Sequence, residues 1–202
     1  MILSSPFTQN DKMIQTSQRN GVTVFNFGLP AGLTCPCAGE LCRVCYANSG
    51  RYRFPSVMEH RMNNYRLSQD KYFTAVIVGE LVKLQHKYPD SDIYIRLHDS
   101  GDFYDSRYLE SWLEVMEMMP EIHFYAYTKS VQMLLDAERA DMIPDNFRYV
   151  FSYGGTQDVL IGDRPNARVF RTLEDMASAG YVNGSDDDLV MFNTDKVGLL
   201  YH

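Results

Sequence analysis

Short runs rich in β-branched and aromatic residues alternate along this chain with stretches of helical periodicity, and this alternation limits the fold more than any other feature. Consecutive strands joined by helical crossovers pair in parallel, so the pattern indicates an α/β fold with helices outside a parallel sheet. The six predicted strands cover residues 22–29, 92–98, 123–128, 147–153, 167–173 and 188–193. The predicted helices cover residues 56–67, 69–87, 108–119, 130–140 and 173–180.

The size and charge of the chain limit the kinds of protein that it can be. Its 202 residues, 45% of them hydrophobic, suit one domain over residues 1–202. The formal net charge of -7 argues weakly against nucleic-acid binding, although a local basic patch would still permit it. The first residues have no signal-peptide pattern, and no apolar run approaches the ~20 residues of a membrane span. We therefore expect a soluble cytoplasmic protein without a membrane partner.

Polar loops follow most of the predicted strands, and the carboxyl ends of parallel strands meet at one edge of a sheet. That edge is where α/β proteins bind their ligands, so we expect these loops to form a common rim. The loops contain the cysteines after the first strand, His98-Asp99-Ser100-Gly101-Asp102 after the second, Thr128-Lys129 after the third, Ser152-Tyr153-Gly154-Gly155 after the fourth and Asn193-Thr194-Asp195 after the sixth.

All four cysteines of the chain lie in one short loop, TCPCAGELCRVCY, with the spacing C-x-C-x4-C-x2-C. Thiols stay reduced in the cytosol, so such a group favours metal binding over disulfides. Structural zinc sites usually use two separated C-x2-C turns, whereas an iron–sulfur cluster can be held by one irregular loop. The spacing favours an iron–sulfur cluster, and zinc or unligated cysteines remain as alternatives. The predicted ligands are Cys35, Cys37, Cys42 and Cys45.

The loop after the second predicted strand provides candidates for catalysis. His98 and Asp102 are candidates for base, acid or hydrogen-bonding partner of a cluster or substrate. The alternative is structural, with Asp102 capping the following helix and His98 bonding within the rim. Lys129, after the third predicted strand, is a further catalytic candidate and a candidate contact for an anionic ligand. Ser100 and Gly101 are predicted to contact a cofactor or small molecule at the rim.

Other candidates have equally plain structural interpretations. The amides of Gly154 and Gly155 are predicted to contact a cofactor, although a tight turn explains the glycines as well. Arg96 lies within a predicted strand and suits a buried ion pair. Arg61 and Asn64 share one helix face, for which a solvated surface is the simpler interpretation. The run Asp186-Asp187-Asp188 is a candidate metal site that a charged turn explains equally well.

Four segments carry a resemblance to a known family: TCPCAGELCRVCYA, HRMNNYRL, RLHDSGDFYDSRYLESW and FYAYTKS. In this order they resemble the phage gene-product-88 family, whose members carry comparable cysteine, SGDF and YAYT motifs. The SGDF and YAYT blocks are the specific part of the match. Cys37 is an additional thiol relative to the family pattern, and the chain has no second cysteine group of the kind found in many relatives.

The resemblance implies a partial, about six-stranded parallel β/α barrel similar to radical S-adenosylmethionine enzymes, with a [4Fe-4S] cluster. It also implies a phage protein in the host cytoplasm, whose biological role is undefined. Three cysteine ligands would leave one iron open for S-adenosylmethionine and make an enzyme, whereas four would close the cluster. A structural zinc protein and a DNA-processing protein remain as alternatives.

Overall fold

The computed structural model describes residues 5–40, 42, 45, 47 and 49–201. The helices are α1 (Asp11–Asn20), α2 (Pro55–Ser68), α3 (Phe73–Lys87), α4 (Ser106–Met118), α5 (Val131–Arg139) and α6 (Leu173–Ser178). The strands are β1 (Thr23–Phe27), β2 (Ile93–Leu97), β3 (His123–Thr128), β4 (Phe147–Ser152), β5 (Asn166–Phe170), β6 (Val182–Asn183) and β7 (Lys196–Leu200). Single 3-10 turns occupy Gly50–Arg53, Asp158–Leu160 and Asp188–Phe192.

The strands form one parallel sheet in the order β1-β2-β3-β4-β5-β7-β6, which curls into a half-barrel. The predicted α/β class with a parallel, partial barrel is confirmed. The described chain has seven strands in this sheet and not six. No helix within the described residues is long and apolar enough to cross a membrane.

Alternating residues of the strands pack on opposite faces of the sheet, as the period of two requires. In β2, Ile93, Ile95 and Leu97 belong to the larger core under the helices. Trp112 of α4 anchors that core, since its ring lies 5.1 Å from the ring of Phe27 and is fully buried. Helices α2 to α5 therefore cover the convex face of the half-barrel.

A second, smaller core fills the concave face. Met13 of α1 packs there with Leu189 and Met191 from the 3-10 turn at Asp188–Phe192. The sequence does not predict α1, because its ten residues are mostly polar; Asn10 caps its start and Gly21 ends it in a left-handed conformation. The N-terminal helix and the C-terminal turn together close the interior of the half-barrel.

An ion-pair network lies inside this concave core. Asp188 is 1% exposed, and its carboxylate lies 2.5 Å from the Lys12 ammonium and 2.6 Å from the Arg96 guanidinium. The Tyr125 hydroxyl donates to the same carboxylate at 3.3 Å. The predicted buried ion pair of Arg96 is confirmed. Asp188 is thus the buried counter-ion of two cations from α1 and β2.

The prediction of a sixth strand at residues 188–193 is wrong. The segment forms a 3-10 turn, at whose start the Asp187 side chain accepts a hydrogen bond from the Leu189 amide. Leu189 and Met191 are both buried, and this alternation suits a tight turn as well as a strand. The chain pairs instead through β7, five residues that begin at Lys196.

The rim prediction for Asn193-Thr194-Asp195 is consequently also wrong. These residues precede β7, and the Asp195 carbonyl accepts a hydrogen bond from the amide of Asn166, the first residue of β5, at 2.7 Å. They therefore lie at the amino edge of the sheet, opposite the cysteine loop.

Candidate functional site

The loop after β2 is bonded directly to the start of the cysteine loop. Ser100 and Leu29 exchange two hydrogen bonds: the Leu29 amide donates to the Ser100 carbonyl at 2.8 Å, and the Ser100 hydroxyl donates to the Leu29 carbonyl at 2.6 Å. The Asp102 amide donates to the carbonyl of Thr34, next to the first cysteine, at 2.9 Å. The predicted meeting of these two loops at the carboxyl edge is confirmed.

Gly101 allows this close approach. Its φ is 84°, and a Cβ atom there would lie 2.5 Å from Leu29 Cβ and 2.5 Å from Thr34 Oγ1. Only glycine fits both the left-handed backbone and the absence of space. Within the described residues Ser100 and Gly101 therefore serve loop-to-loop contact, and their contact with a cofactor stays a prediction.

Asp102 lies at the centre of the rim with its carboxylate buried. It accepts hydrogen bonds from the Thr128 hydroxyl at 2.6 Å, the Lys129 amide at 2.8 Å and the Phe103 amide at 2.8 Å. Burial raises the pKa of this carboxyl, while the three hydrogen bonds and the nearby Lys129 charge oppose that rise. Asp102 thus links the end of β3 to the loop that holds the cysteines.

The alternative interpretation of Asp102 as a helix cap is wrong. The cap of α4 is Asp105, whose side chain accepts a hydrogen bond from the Tyr108 amide at 2.8 Å. Asp102 lies three residues too early in the chain to reach that turn. Its side chain is therefore available for the rim contacts that it makes.

His98 turns from the rim into the helix-covered core. Its Nε2 lies 2.8 Å from the Tyr108 hydroxyl, and its ring packs edge-on against Phe103 with 4.7 Å between centroids. The residue has a φ of 66°, which is unusual for a side chain with a Cβ and supports this inward orientation. Burial, followed by the charge of Arg96, lowers the pKa of His98 to about 3.

We expect the His98 imidazole to stay neutral across physiological pH, because the buried ring cannot take up a charge without losing solvation. Its NMR signals should therefore show no titration between about pH 5 and pH 8. The signals can be assigned by their loss in His98→Asn, since asparagine tolerates a positive φ. A midpoint near the ordinary value of about 6.5 would contradict this placement.

The loop after β4 packs against the middle of the cysteine loop. The Thr156 amide donates to the Cys37 carbonyl at 3.1 Å, and Ala38 forms an antiparallel bridge with Gly155. The amides of Gly154 and Gly155, predicted to contact a cofactor, both donate to the Asp158 carboxylate, at 2.8 and 2.9 Å. Their contact with a cofactor stays a prediction, and it would require Asp158 to move.

Lys129 points along the end of β4. Its ammonium donates to the Ser152 hydroxyl at 2.7 Å, the Ser152 carbonyl at 3.4 Å and the Tyr153 carbonyl at 3.1 Å. These partners are neutral, and the carboxylate of Asp102 at the rim lies within electrostatic range. The predicted contact of Lys129 with an anionic ligand fits this position and remains to be tested.

A third anchor lies where the cysteine loop leads into α2. The Arg61 guanidinium lies 2.9 Å from the Asp99 carboxylate and 4.2 Å from the centre of the Tyr52 ring. The Tyr52 hydroxyl donates to the same carboxylate at 3.2 Å, and Asn64 donates to the Gly28 carbonyl at 3.1 Å. The solvated face that the sequence predicts for Arg61 and Asn64 is wrong, because both side chains are buried.

The four thiols fall into two environments. Burial raises the pKa of Cys35 to about 11, and the charges of Asp102, Cys45 and Cys42 act in the same direction against a backbone hydrogen bond at Gly32. Cys35 therefore shares its surroundings with Cys42 and Cys45. All three are partly buried.

Cys37 is buried, and its thiol lies close to the Ser130 and Thr156 side chains. Burial and the Asp102 charge raise its pKa, while the Ser130 and Thr156 side chains oppose the rise. Within residues 5–40, 42, 45, 47 and 49–201, no three His, Cys, Asp or Glu side chains already stand in a metal-binding arrangement. The structure thus brings the thiols into one region without grouping them into a finished ligand shell.

Comparison with known proteins finds a family model that matches nearly the whole chain and relatives that match part of it. A family model described as "Gene product 88" matches residues 2–201. The "Gene 88 protein" of Mycobacterium phage L5 is 29% identical over 161 residues, which cover 74% of this chain and 62% of the relative. The "Gene 88 protein" of Mycobacterium phage D29 is 28% identical over 113 residues, covering 52% of this chain and 47% of the relative. No solved structure matches the chain.

Proposed function

Because the chain belongs to the gene product 88 family, whose biochemical work its relatives' names leave open, we propose that it is an iron–sulfur protein with a [4Fe-4S] cluster in its cysteine loop. The observation that carries this proposal is the convergence of two rim loops, those after β2 and β4, on the cysteine loop through Asp102 and Thr156. Tyr52 ties the end of the cysteine segment to Asp99 of the first of these loops. Such anchoring holds several thiols at one edge of a rigid sheet, as a compact cluster needs. The relatives are mycobacteriophage proteins, which supports a phage protein that works in the host cytoplasm.

The proposed ligands are Cys35, Cys42 and Cys45, with Cys37 as the candidate fourth. Support for the set of three comes from proximity, because Cys35 lies within electrostatic range of Cys42 and Cys45. Bringing thiolates together in a partly buried site is unfavourable without a cation, and a bound cluster offsets that repulsion. Small adjustments of the loop would then complete the ligand shell.

A radical S-adenosylmethionine-type enzyme is the second candidate function. The observation that favours it is the burial of Cys37 beside Ser130 and Thr156, in surroundings separate from those that Cys35 shares with Cys42 and Cys45. Three remaining ligands would leave one iron able to bind the amine and carboxylate of S-adenosylmethionine. The curled parallel sheet is compatible with such a cofactor at its carboxyl edge.

The residues around the thiols have the same roles in both candidate functions. Asp102 holds the amide of Lys129 and the hydroxyl of Thr128 in place, so that β3 ends at a fixed distance from the cysteine loop. The Lys129 ammonium supplies a positive charge that would favour an anionic cluster or ligand. Buried Phe103 excludes water from the floor of the rim. A bound cluster would supply one-electron transfer, with a potential set by hydrogen bonds and burial.

Protein purified without oxygen should be brown and contain about four irons and four sulfides per chain, because the proposed site holds a cubane cluster. Elemental analysis and sulfide determination measure this directly. The control is the same preparation after anaerobic iron chelation, which should remove the colour. Stoichiometric zinc without sulfide would contradict the proposal and favour a structural zinc site.

A further inference from the structure

We propose that Asp158 is a positioning residue for the cysteine site: it locks the turn after β4 in the conformation that clasps Cys37, so cluster binding depends on it although it is not a ligand. The inference rests on the proposed function and adds to it a residue outside the cysteine loop. The clasp is defined here as residues 152–158 together with the Lys129 side chain.

The lock is the Asp158 carboxylate, which accepts hydrogen bonds from two consecutive backbone amides. Asp158 accepts from Gly154 N at 2.8 Å and from Gly155 N at 2.9 Å. Gly154 has a φ of 93°, so the turn is one that side-chain-bearing residues rarely adopt. Hydrogen bonds to a charged acceptor are stronger than those between neutral groups, so this carboxylate determines the conformation of the turn.

The backbone of this turn is in van der Waals contact with the backbone of the cysteine loop. A Cβ atom on Gly155 would lie 2.9 Å from the Cys37 carbonyl oxygen, and one on Gly39 would lie 2.4 Å from the Gly154 carbonyl oxygen. The Thr156 amide adds a hydrogen bond to the Cys37 carbonyl at 3.1 Å. Any change in the turn is therefore transmitted to Cys37 and to the residues that follow it.

The Lys129 side chain stabilises the turn after β4 from the side of β3. Its ammonium binds the Ser152 and Tyr153 carbonyls at the start of the turn. A Cβ atom on Gly155 would lie 3.2 Å from Lys129 Cβ and 3.3 Å from its Cδ, so the stem of the lysine lies directly against the turn. The Lys129 backbone is fixed by Asp102. The clasp thus joins β3, β4 and the cysteine loop in one unit.

The test compares wild-type protein with Asp158→Ala, Asp158→Asn and Gly155→Ala in two measurements. The first is alkylation of each cysteine in the metal-free, folded protein, followed by mass spectrometry. We expect Cys37 to react about tenfold faster or more in Asp158→Ala and Gly155→Ala, because local opening exposes a buried thiol. Asp158→Asn should lie between these variants and wild type, since an amide oxygen still accepts one hydrogen bond.

The second measurement is iron bound per chain during anaerobic reconstitution with limiting iron, which should fall to about half or less in the two stronger variants. The matched controls are Gly79→Ala and Asp163→Ala. A Cβ on Gly79 meets nothing within 4 Å, and Asp163 is exposed near the same turn. Both controls should behave as wild type in alkylation and iron binding.

The outcomes separate this inference from the proposed function. Unchanged Cys37 reactivity in Asp158→Ala, or an equal rise at all four cysteines, would overturn the clasp, because general destabilisation does not single out Cys37. Normal iron loading in all three variants would overturn it as well. A selective rise at Cys37 in a protein that binds no iron even as wild type would support the clasp and overturn the cluster. If Asp158→Ala does not fold, Gly155→Ala and Asp158→Asn decide between the same outcomes.

Discussion

Replacement of Asp188 by alanine should lower the free energy of unfolding by about 3–5 kcal/mol, which is typical of breaking a buried ion pair. The carboxylate is 1% exposed and is shared by Lys12 and Arg96, so its loss leaves two cations without their counter-ion inside the concave core. The Tyr125 hydroxyl also loses its acceptor. Of the described ion pairs, those of Asp188 connect the most distant parts of the chain.

Urea denaturation monitored by circular dichroism measures this loss. Asp186→Ala is the matched control, because Asp186 is exposed two residues earlier in the same acidic run and should change stability by less than about 0.5 kcal/mol. A loss below about 1 kcal/mol in Asp188→Ala would show that the network contributes little.

The pH dependence of the same variant provides a second check. The nearby cations, Arg96 before Lys12, lower the pKa of Asp188 below its ordinary value of 3.8, against the opposing effect of burial. A carboxyl with a lowered folded-state pKa contributes stability that is present above about pH 4 and is lost as pH falls through the folded-state value. Asp188→Ala should therefore lose less stability than wild type between about pH 4 and pH 2.

Local sequence pattern predicts most of the sheet because each early strand carries its own signal. In β2, apolar residues alternate with Tyr94 and Arg96, and the chain pairs in parallel there as expected. The pattern fails near the C-terminus, where Leu189 and Met191 also alternate but belong to a turn that fills the half-barrel. Alternation shows that two side chains are buried on one side, and only the surrounding sheet decides whether a strand or a 3-10 turn buries them.

The candidate site was predictable to the extent that it follows from topology. Parallel strands place Asp102 and the cysteine loop at one edge whatever their detailed contacts. The Arg61–Asp99 pair joins residues 38 positions apart, for which the sequence carries no local signal, whereas the Asp158 carboxylate bonds to amides only three and four positions earlier. The spacing of Arg61 and Asn64 on one helix face was the available clue, and a polar pair on a helix is more often solvated.

Cys35→Ser, Cys42→Ser and Cys45→Ser should each abolish formation of a stable cluster, whereas Cys37→Ser should retain it. The first three thiols share one environment, in which the charges of Cys42 and Cys45 reach Cys35. Serine at position 37 is close in size to cysteine and would lie beside the polar Ser130 and Thr156 side chains. Cluster formation needs a thiolate from each ligand position, and serine is a poor substitute for it.

Iron and sulfide content of the four anaerobically reconstituted variants, each compared with wild type, measures the ligand set. Electron paramagnetic resonance of the reduced protein then tests the open iron. Addition of S-adenosylmethionine should change the signal of wild type and of Cys37→Ser alike if three cysteines hold the cluster, because the fourth iron then lacks a protein ligand. Loss of the cluster in Cys37→Ser would instead establish a closed, four-cysteine cluster suited to electron transfer or structure.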